Sequence, residues 1–249
     1  MSSQQQTPST TSGAQPEPGQ QHVIEGRGLG QSFARGRQTV VALEGVDLVG
    51  GPGEFVAITG PSGSGKSTLL QALGGILQPE SGQVWLEGRR LDAMGESELA
   101  LQRRRRIGFV FQFFQLLPTM SAVENVAVPL LLDGAADAFD RAEQALSRVG
   151  LAERGGHRPA ELSGGEQQRV AVARAVVAQP RLICADEPTG NLDTVTGEEV
   201  LGLLRDLADG GHTVVMATHE PRVAAFADRV VRLVDGRLVT PDASGRGAG

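Results

Sequence analysis

The chain has no tyrosine, one tryptophan, one cysteine and one lysine. A lone cysteine, Cys184, rules out an internal disulfide framework, and its place in an apolar run marks it as a small buried hydrophobe in a reducing compartment. With aromatics at only 4%, the core must rest on Val, Leu, Ala and Ile. No stretch reaches the ~18–20 apolar residues that a membrane-spanning helix needs, and the N-terminus lacks the apolar segment of a secretory signal. A soluble, intracellular chain is expected. The net charge of −6 argues against a protein that grips nucleic acid through bulk positive charge, so no nucleic-acid partner is expected. Of 23 Lys plus Arg, all but Lys66 are arginine. That bias, with abundant Gly and Ala, suggests a GC-rich bacterial genome.

What is present divides into three parts. Residues 1–21 are Gln, Ser, Thr, Pro and Gly with almost no apolar content, which predicts a disordered tail, and residues 241–249 look similar. The chain's 249 residues leave room for one large domain or two small ones. Strand-like runs fall at Val40–Leu43, Phe55–Thr59, Gln83–Leu86, Ile107–Phe111, Leu182–Ala185, Thr213–Ala217 and Val230–Val234. Helical periodicity appears at Lys66–Leu73, Ser97–Arg104, Val123–Leu132, Asp140–Val149, Gln167–Ala178, Thr196–Asp209 and Arg222–Phe226. Ser121 and Glu124 have capping-box spacing, which predicts a helix start near Ala122. Strands alternating with helices call for a parallel sheet, and the mostly helical stretch at about 92–160 interrupts the alternation. An α/β core with a helical insertion is the simplest description.

Gly60-Pro61-Ser62-Gly63-Ser64-Gly65-Lys66-Ser67 follows one apolar strand run and opens a helical one. Glycines let successive backbone N–H groups curl around phosphate oxygens, where a side chain would clash. The helix behind them presents its positive end to the same anion. Lys66 would then reach the β and γ oxygens of a nucleoside triphosphate, and the Ser67 hydroxyl would ligate Mg²⁺. The competing explanation is a Gly/Ser turn that matches by accident. The only lysine of the chain stands at the one position where a compact ammonium suits the cradle better than a planar guanidinium, which accident does not explain.

Leu182–Ala185 leads into Asp186-Glu187, an apolar strand ending in two carboxylates. Alone this often marks nothing more than a strand end beside a turn. Beside a phosphate cradle, Asp186 is a candidate Mg²⁺ holder and Glu187 a candidate general base for the attacking water. His219 follows the strand run Thr213–Ala217, and a third strand end on the same sheet edge makes it a candidate γ-phosphate contact. Leu162-Ser163-Gly164-Gly165-Glu166 precedes another helical run, and a serine–glycine turn at a helix start is a second anion site. An ordinary Ser cap would explain it in isolation. One chain has no obvious use for two phosphate sites far apart in sequence, whereas a head-to-tail pair of chains uses both, each cradle closed by the other copy's Ser163, Gly164 and Gly165.

These motifs in this order resemble the ABC ATPase family over nearly all of residues 23–240: the loop Gly60–Thr68, Gln112, Leu162–Glu166, Asp186-Glu187, Asn191-Leu192-Asp193 and His219. The resemblance implies a P-loop NTPase core with a small antiparallel β subdomain and a helical insertion subdomain. It implies ATP and Mg²⁺ as ligands, with Thr68 and Glu166 beside the nucleotide. It gives Gln112 a contact to Mg²⁺ and the lytic water and a role in sensing a membrane partner, and it has Asp193 organise the opposite site. The segments Phe111–Val126 and Ala185–Asp193 resemble the lipoprotein-releasing and macrolide-export group, whose ATPases drive integral membrane permeases from the cytoplasmic face of the bacterial plasma membrane. Two departures stand out. Phe33 is the best-placed ring for adenine where the family usually has tyrosine, and Glu166 stands where many members carry glutamine.

Other signals are weaker. Arg103–Arg106 reads either as a lipid- or permease-facing patch or as a helix end paired with Glu96 and Glu98. Phe113, Phe114, Leu116 and Leu117 read as core or as a groove for a permease segment. His22, His157 and His212 lack metal-ligand spacing. A soluble ABC ATPase without a permease, of the iron–sulfur-assembly or DNA-repair type, is the alternative function. A P-loop kinase would leave the Ser163 turn unexplained.

Overall fold

Among the described residues, apolar runs rich in Val and Ile, broken by glycine and polar turns, form ten strands that sort into two sheets. The computed structural model describes residues 22–36 and 38–239, so the expected tails lie outside the described residues. The strands are β1 (Ile24–Arg35), β2 (Gln38–Gly50), β3 (Phe55–Thr59), β4 (Ser81–Leu86), β5 (Arg89–Arg90), β6 (Ile107–Phe111), β7 (Leu182–Asp186), β8 (Thr213–Thr218), β9 (Arg229–Val234) and β10 (Arg237–Val239). One sheet is antiparallel in the order β2-β1-β4-β5. The other runs β10-β9-β3-β8-β7-β6 and is parallel except for β10. The helices are α1 (Lys66–Leu73), α2 (Glu96–Arg106), α3 (Ala122–Leu132), α4 (Ala138–Arg148), α5 (Gly164–Val176) and α6 (Thr194–Asp209).

The central parallel strands β3, β7 and β8 are buried on both faces, which their near-continuous Val, Ile and Ala content allows. Their alternating side chains feed two cores. Ile58, Cys184, Val215 and Ala217 meet α1 and the antiparallel sheet through Leu69, Leu70 and Leu73. Ala57, Ile183, Ala185 and Met216 meet α3, α4, α5 and α6. Each leucine wholly buried in this way contributes about 2 kcal/mol of hydrophobic stabilisation. Helices α1 and α5 therefore lie on opposite faces of the sheet. Neighbouring residues of β6 report the same split: a side chain at Gly74, just past α1, would strike the Phe109 ring, and one at Gly108 would strike the Ala175 carbonyl of α5.

Several elements differ from expectation. β1 was not anticipated as a strand, and β2 spans 13 residues where four were expected. The run Arg222–Phe226 is a short three-ten turn over Pro221–Ala225 rather than an α-helix. β6, inside the helix-rich stretch 92–160, belongs to the parallel sheet. The capping box at α3 is present, with the Ser121 N–H donating to Glu124 Oε2 at 2.7 Å.

Candidate functional site

Four parallel strands end on one edge in register. Thr59 pairs with Thr218, Ala217 with Asp186, and Asp186 with Phe111. The residues that follow these strand ends are therefore the loop from Gly60, Glu187, His219 and Gln112, and the sheet itself gathers the expected site residues. β3 is flanked by β8 and β9, which leaves its end open to helix α1.

The Gly60–Gly65 loop owes its path to glycine at defined points. Gly60, Gly63 and Gly65 have φ of 154°, 79° and 102°. At Gly60 a Cβ would overlap the Leu233 carbonyl, and at Gly65 the Ala42 carbonyl, so backbone sterics as well as dihedrals demand glycine. Pro61, Ser62 and Gly63 form the exposed crest. Lys66 is buried, and its ammonium donates to the carbonyls of Gly60 and Pro61 at 2.9 Å each. The Ser64 hydroxyl is buried without a partner, an open donor beneath the loop. Thr68 is half-buried in the first turn of α1. An anion seated here would meet helix-end N–H groups, an ammonium and free hydroxyls together.

Ser67 Oγ donates to Asp186 Oδ1 at 2.9 Å. Burial pushes the Asp186 carboxyl above its ordinary pKa; the Ser67 bond draws it back, Glu187 adds to the rise, and Lys66 opposes it. An ionised Asp186 is thus costly until a cation arrives. Mg²⁺ suits such a pair, because it takes one or two protein oxygens and fills its remaining positions with water and phosphate. Glu187 has φ of 44°, a conformation costly for a residue with a Cβ, and its N–H donates to the Ala217 carbonyl at 2.9 Å. The strained turn brings Glu187 Oε1 within 3.2 Å of His219 Nδ1.

Gln112 packs against Gly190, and its carbonyl accepts from Asn191 Nδ2 at 2.9 Å. Among the described residues its amide makes no hydrogen bond to Ser67 or Asp186. The Ser163–Glu166 turn does not reach the Gly60 loop either, since α5 and α1 occupy opposite faces. Ser163 caps α5: its Oγ accepts from Glu166 N at 3.2 Å, and Glu166 Oε2 accepts from Ser163 N at 2.8 Å. Arg154 Nε holds the other Glu166 oxygen at 3.0 Å. The backbone bond from Ser163 leads in holding the Glu166 carboxyl below its usual range. Both oxygens are thus engaged within the turn. Gly164 lies against Leu192 and Phe114, and a side chain at Gly165 would strike Thr196. Asp193 caps α6 by accepting from Thr196 N at 3.1 Å and Thr196 Oγ1 at 2.7 Å. Phe33 is an exposed ring opposite Val40, two residues before Ala42, whose carbonyl abuts the Gly60–Gly65 loop.

Arg103–Arg106 is spent internally: Arg103 on Glu96, Arg104 and Arg105 on Asp133, and Arg106 on Glu87. Sequence reasoning missed Gln168 and Asn125. Both are wholly buried polar side chains at apolar helix positions, and that placement is the signal that could have revealed them.

A strand, a glycine-rich loop and a helix in succession, with a carboxylate pair at a neighbouring strand end, are the arrangement of a P-loop nucleoside triphosphatase. A family model described as ABC transporter matches residues 43–190. The lipoprotein-releasing system ATP-binding protein LolD of Pseudomonas syringae pv. tomato is 50% identical over 220 residues, covering 87% of this chain and 97% of the relative. The macrolide export ATP-binding/permease protein MacB of Marinobacter nauticus is 51% identical over 219 residues, again 87% of this chain. The chain spans 34% of that relative's length. Among solved structures, the dimeric ATP-binding cassette MJ0796 in a post-hydrolysis state with ADP and Pi superposes with a TM-score of 0.81 at 39% identity, covering 87% of this chain and 97% of that one. The chain belongs to the ABC transporter family and is an ATP-binding, ATP-hydrolysing member of it.

Proposed function

We propose that two copies of this chain pair head to tail around two ATP molecules and that the closing and opening of this pair drives an integral membrane permease. One observation carries the pairing: the two candidate anion sites, the Gly60–Gly65 cradle and the Ser163 turn, belong to helices on opposite faces of the sheet. Neither site completes the other within one copy, so a second copy is required to use both.

In the proposed site, Gly60, Pro61, Ser62, Gly63, Ser64, Gly65, Lys66, Ser67 and Thr68 hold the triphosphate, and Phe33 stacks on adenine. Ser163, Gly164 and Gly165 of the other copy close over the γ-phosphate, with Glu166 keeping that turn in shape and Asp193 ordering the loop beside it. Ser67, Asp186 and Gln112 would hold Mg²⁺, which would supply charge neutralisation at the phosphates. Glu187 takes the proton of the attacking water, and His219, already 3.2 Å from Glu187, contacts the γ-phosphate. The exposed Phe113 and Leu117 beside Gln112 offer the permease an apolar foothold. The names of the relatives, a lipoprotein-releasing ATP-binding protein and a macrolide export ATP-binding/permease protein, support an exporter or mechanotransmitter role, and a permease partner would put the chain at the cytoplasmic face of the bacterial plasma membrane.

Glu187→Gln tests this reading. It keeps size and ATP contacts but removes the base, so it should bind ATP, lose at least about a hundredfold in turnover and accumulate an ATP-loaded dimer on size-exclusion chromatography. Hydrolysis near the wild-type rate would remove Glu187 from the mechanism, and a nucleotide-bound monomer would remove the pairing.

A further inference from the structure

Gln168 is wholly buried on α5, in the apolar register of Gly165, Val172 and Ala175. Its Nε2 donates to the Pro188 carbonyl at 2.7 Å and to the Phe111 carbonyl at 3.3 Å. Those carbonyls adjoin the proposed catalytic groups: Phe111 immediately precedes Gln112, and Pro188 immediately follows Glu187. The orientation of the amide is forced, because a flip would set its oxygen against two other oxygens. Its own Oε1 is buried with no partner. A residue needed only to fill space here would be apolar and would avoid that orphan.

We infer that Gln168 is a positioning residue for ATP hydrolysis: one amide holds the backbones at Gln112 and Glu187 at a set spacing and ties both to the helix whose first turn carries Ser163. The inference rests on the roles given above to Gln112 and Glu187. Neither carbonyl is hydrogen-bonded to the Gly60–Gly65 loop, and α1 lies across the sheet from α5, so the loop's own hold on the triphosphate does not depend on the amide. Loss of the link should misplace the groups that act on water, and a misplacement of about 1 Å costs on the order of a hundredfold in rate.

Two variants test it. Gln168→Met fills the same volume without a donor and should lower kcat by roughly 10- to 100-fold while leaving the KM for ATP within about threefold. Gln168→Glu keeps the length; its carboxyl donates one hydrogen bond when protonated and none when ionised, and burial favours protonation. Its kcat relative to wild type should therefore climb as pH falls from about 9 to about 6. A merely structural loss would show as unfolding at the pH values where kcat falls, so thermal unfolding is followed beside kcat at each pH, a readout that stands even where Gln168→Met does not fold. Gln168→Met retaining kcat within about twofold, ATP affinity falling in step with kcat, or a Gln168→Glu kcat that falls only where the variant unfolds would each overturn the inference. Glu187→Gln separates the two possible failures. If that variant hydrolyses ATP normally, the role of Glu187 is wrong; if it is inactive while Gln168→Met is normal, only the positioning role falls.

Discussion

Lys66 is the only lysine in the chain and, among the described residues, the one charged side chain that is buried. Its ammonium fits between two loop carbonyls 2.9 Å away, a space set by a glycine path that admits no added atoms at Gly60 or Gly65. Arginine would carry the same charge on a planar fork with five donors, too wide to be held by that pair of carbonyls and still face phosphate. Lys66→Arg should therefore weaken ATP binding at least tenfold, about 1.4 kcal/mol, in a fluorescent-nucleotide titration, with secondary structure unchanged. Unaltered affinity would show that charge alone is selected. The cradle was legible because its chemistry is local: every group lies within eight consecutive residues. Gln168 was not, because its acceptors lie 57 and 20 residues away and exist only once β6 and β7 pair.

At the scale of elements, the segment after Gln112 is held in place by α3. Asn125 is wholly buried, and its Nδ2 donates to the carbonyls of Leu117, Met120 and Ser121 at 3.0–3.1 Å, while its Oδ1 accepts from Leu117 N at 2.7 Å. A near-isosteric Asn125→Leu would leave those backbone groups short of partners in a dry site. It should cost about 2–4 kcal/mol in denaturant unfolding while ATP affinity changes little, since the cradle lies on another strand. A loss under about 1 kcal/mol would mean that the segment finds other partners. The capping boxes at Ser121 and Ser163 lie in short sequence windows, and the α3 start at Ala122 follows from one of them. β1 was hidden because glycines at 26, 28 and 30 dilute its pattern. Its pairing comes from β2 and β4 on either side, with register shifts where the glycines fall. The five residues Pro221–Ala225 are too short a run for a stable α-helical ladder, so the segment that periodicity read as helical is a three-ten turn.

The whole molecule works only if the sheet keeps its two anion sites apart. Were a single chain able to fold its own Ser163 turn over its own Gly60–Gly65 loop, two inactive variants mixed together would remain inactive. In the head-to-tail arrangement they rescue one another. Lys66→Ala loses the cradle but keeps the turn; Ser163→Arg loses the turn but keeps the cradle. A mixed pair contains one dead site, built from both defects, and one intact site, built from the Ser163→Arg copy's cradle and the Lys66→Ala copy's turn. In an equimolar mixture half the pairs are mixed and each has one good site of two, so activity should return to about a quarter of wild type, each variant alone staying near zero. Steady-state ATPase rates over a titration of one variant into the other should rise to a maximum at equal amounts and fall away on both sides. A rate that never exceeds the sum of the separate variants would place both anion sites in service of one chain, and the opposed faces of the sheet would then need another purpose.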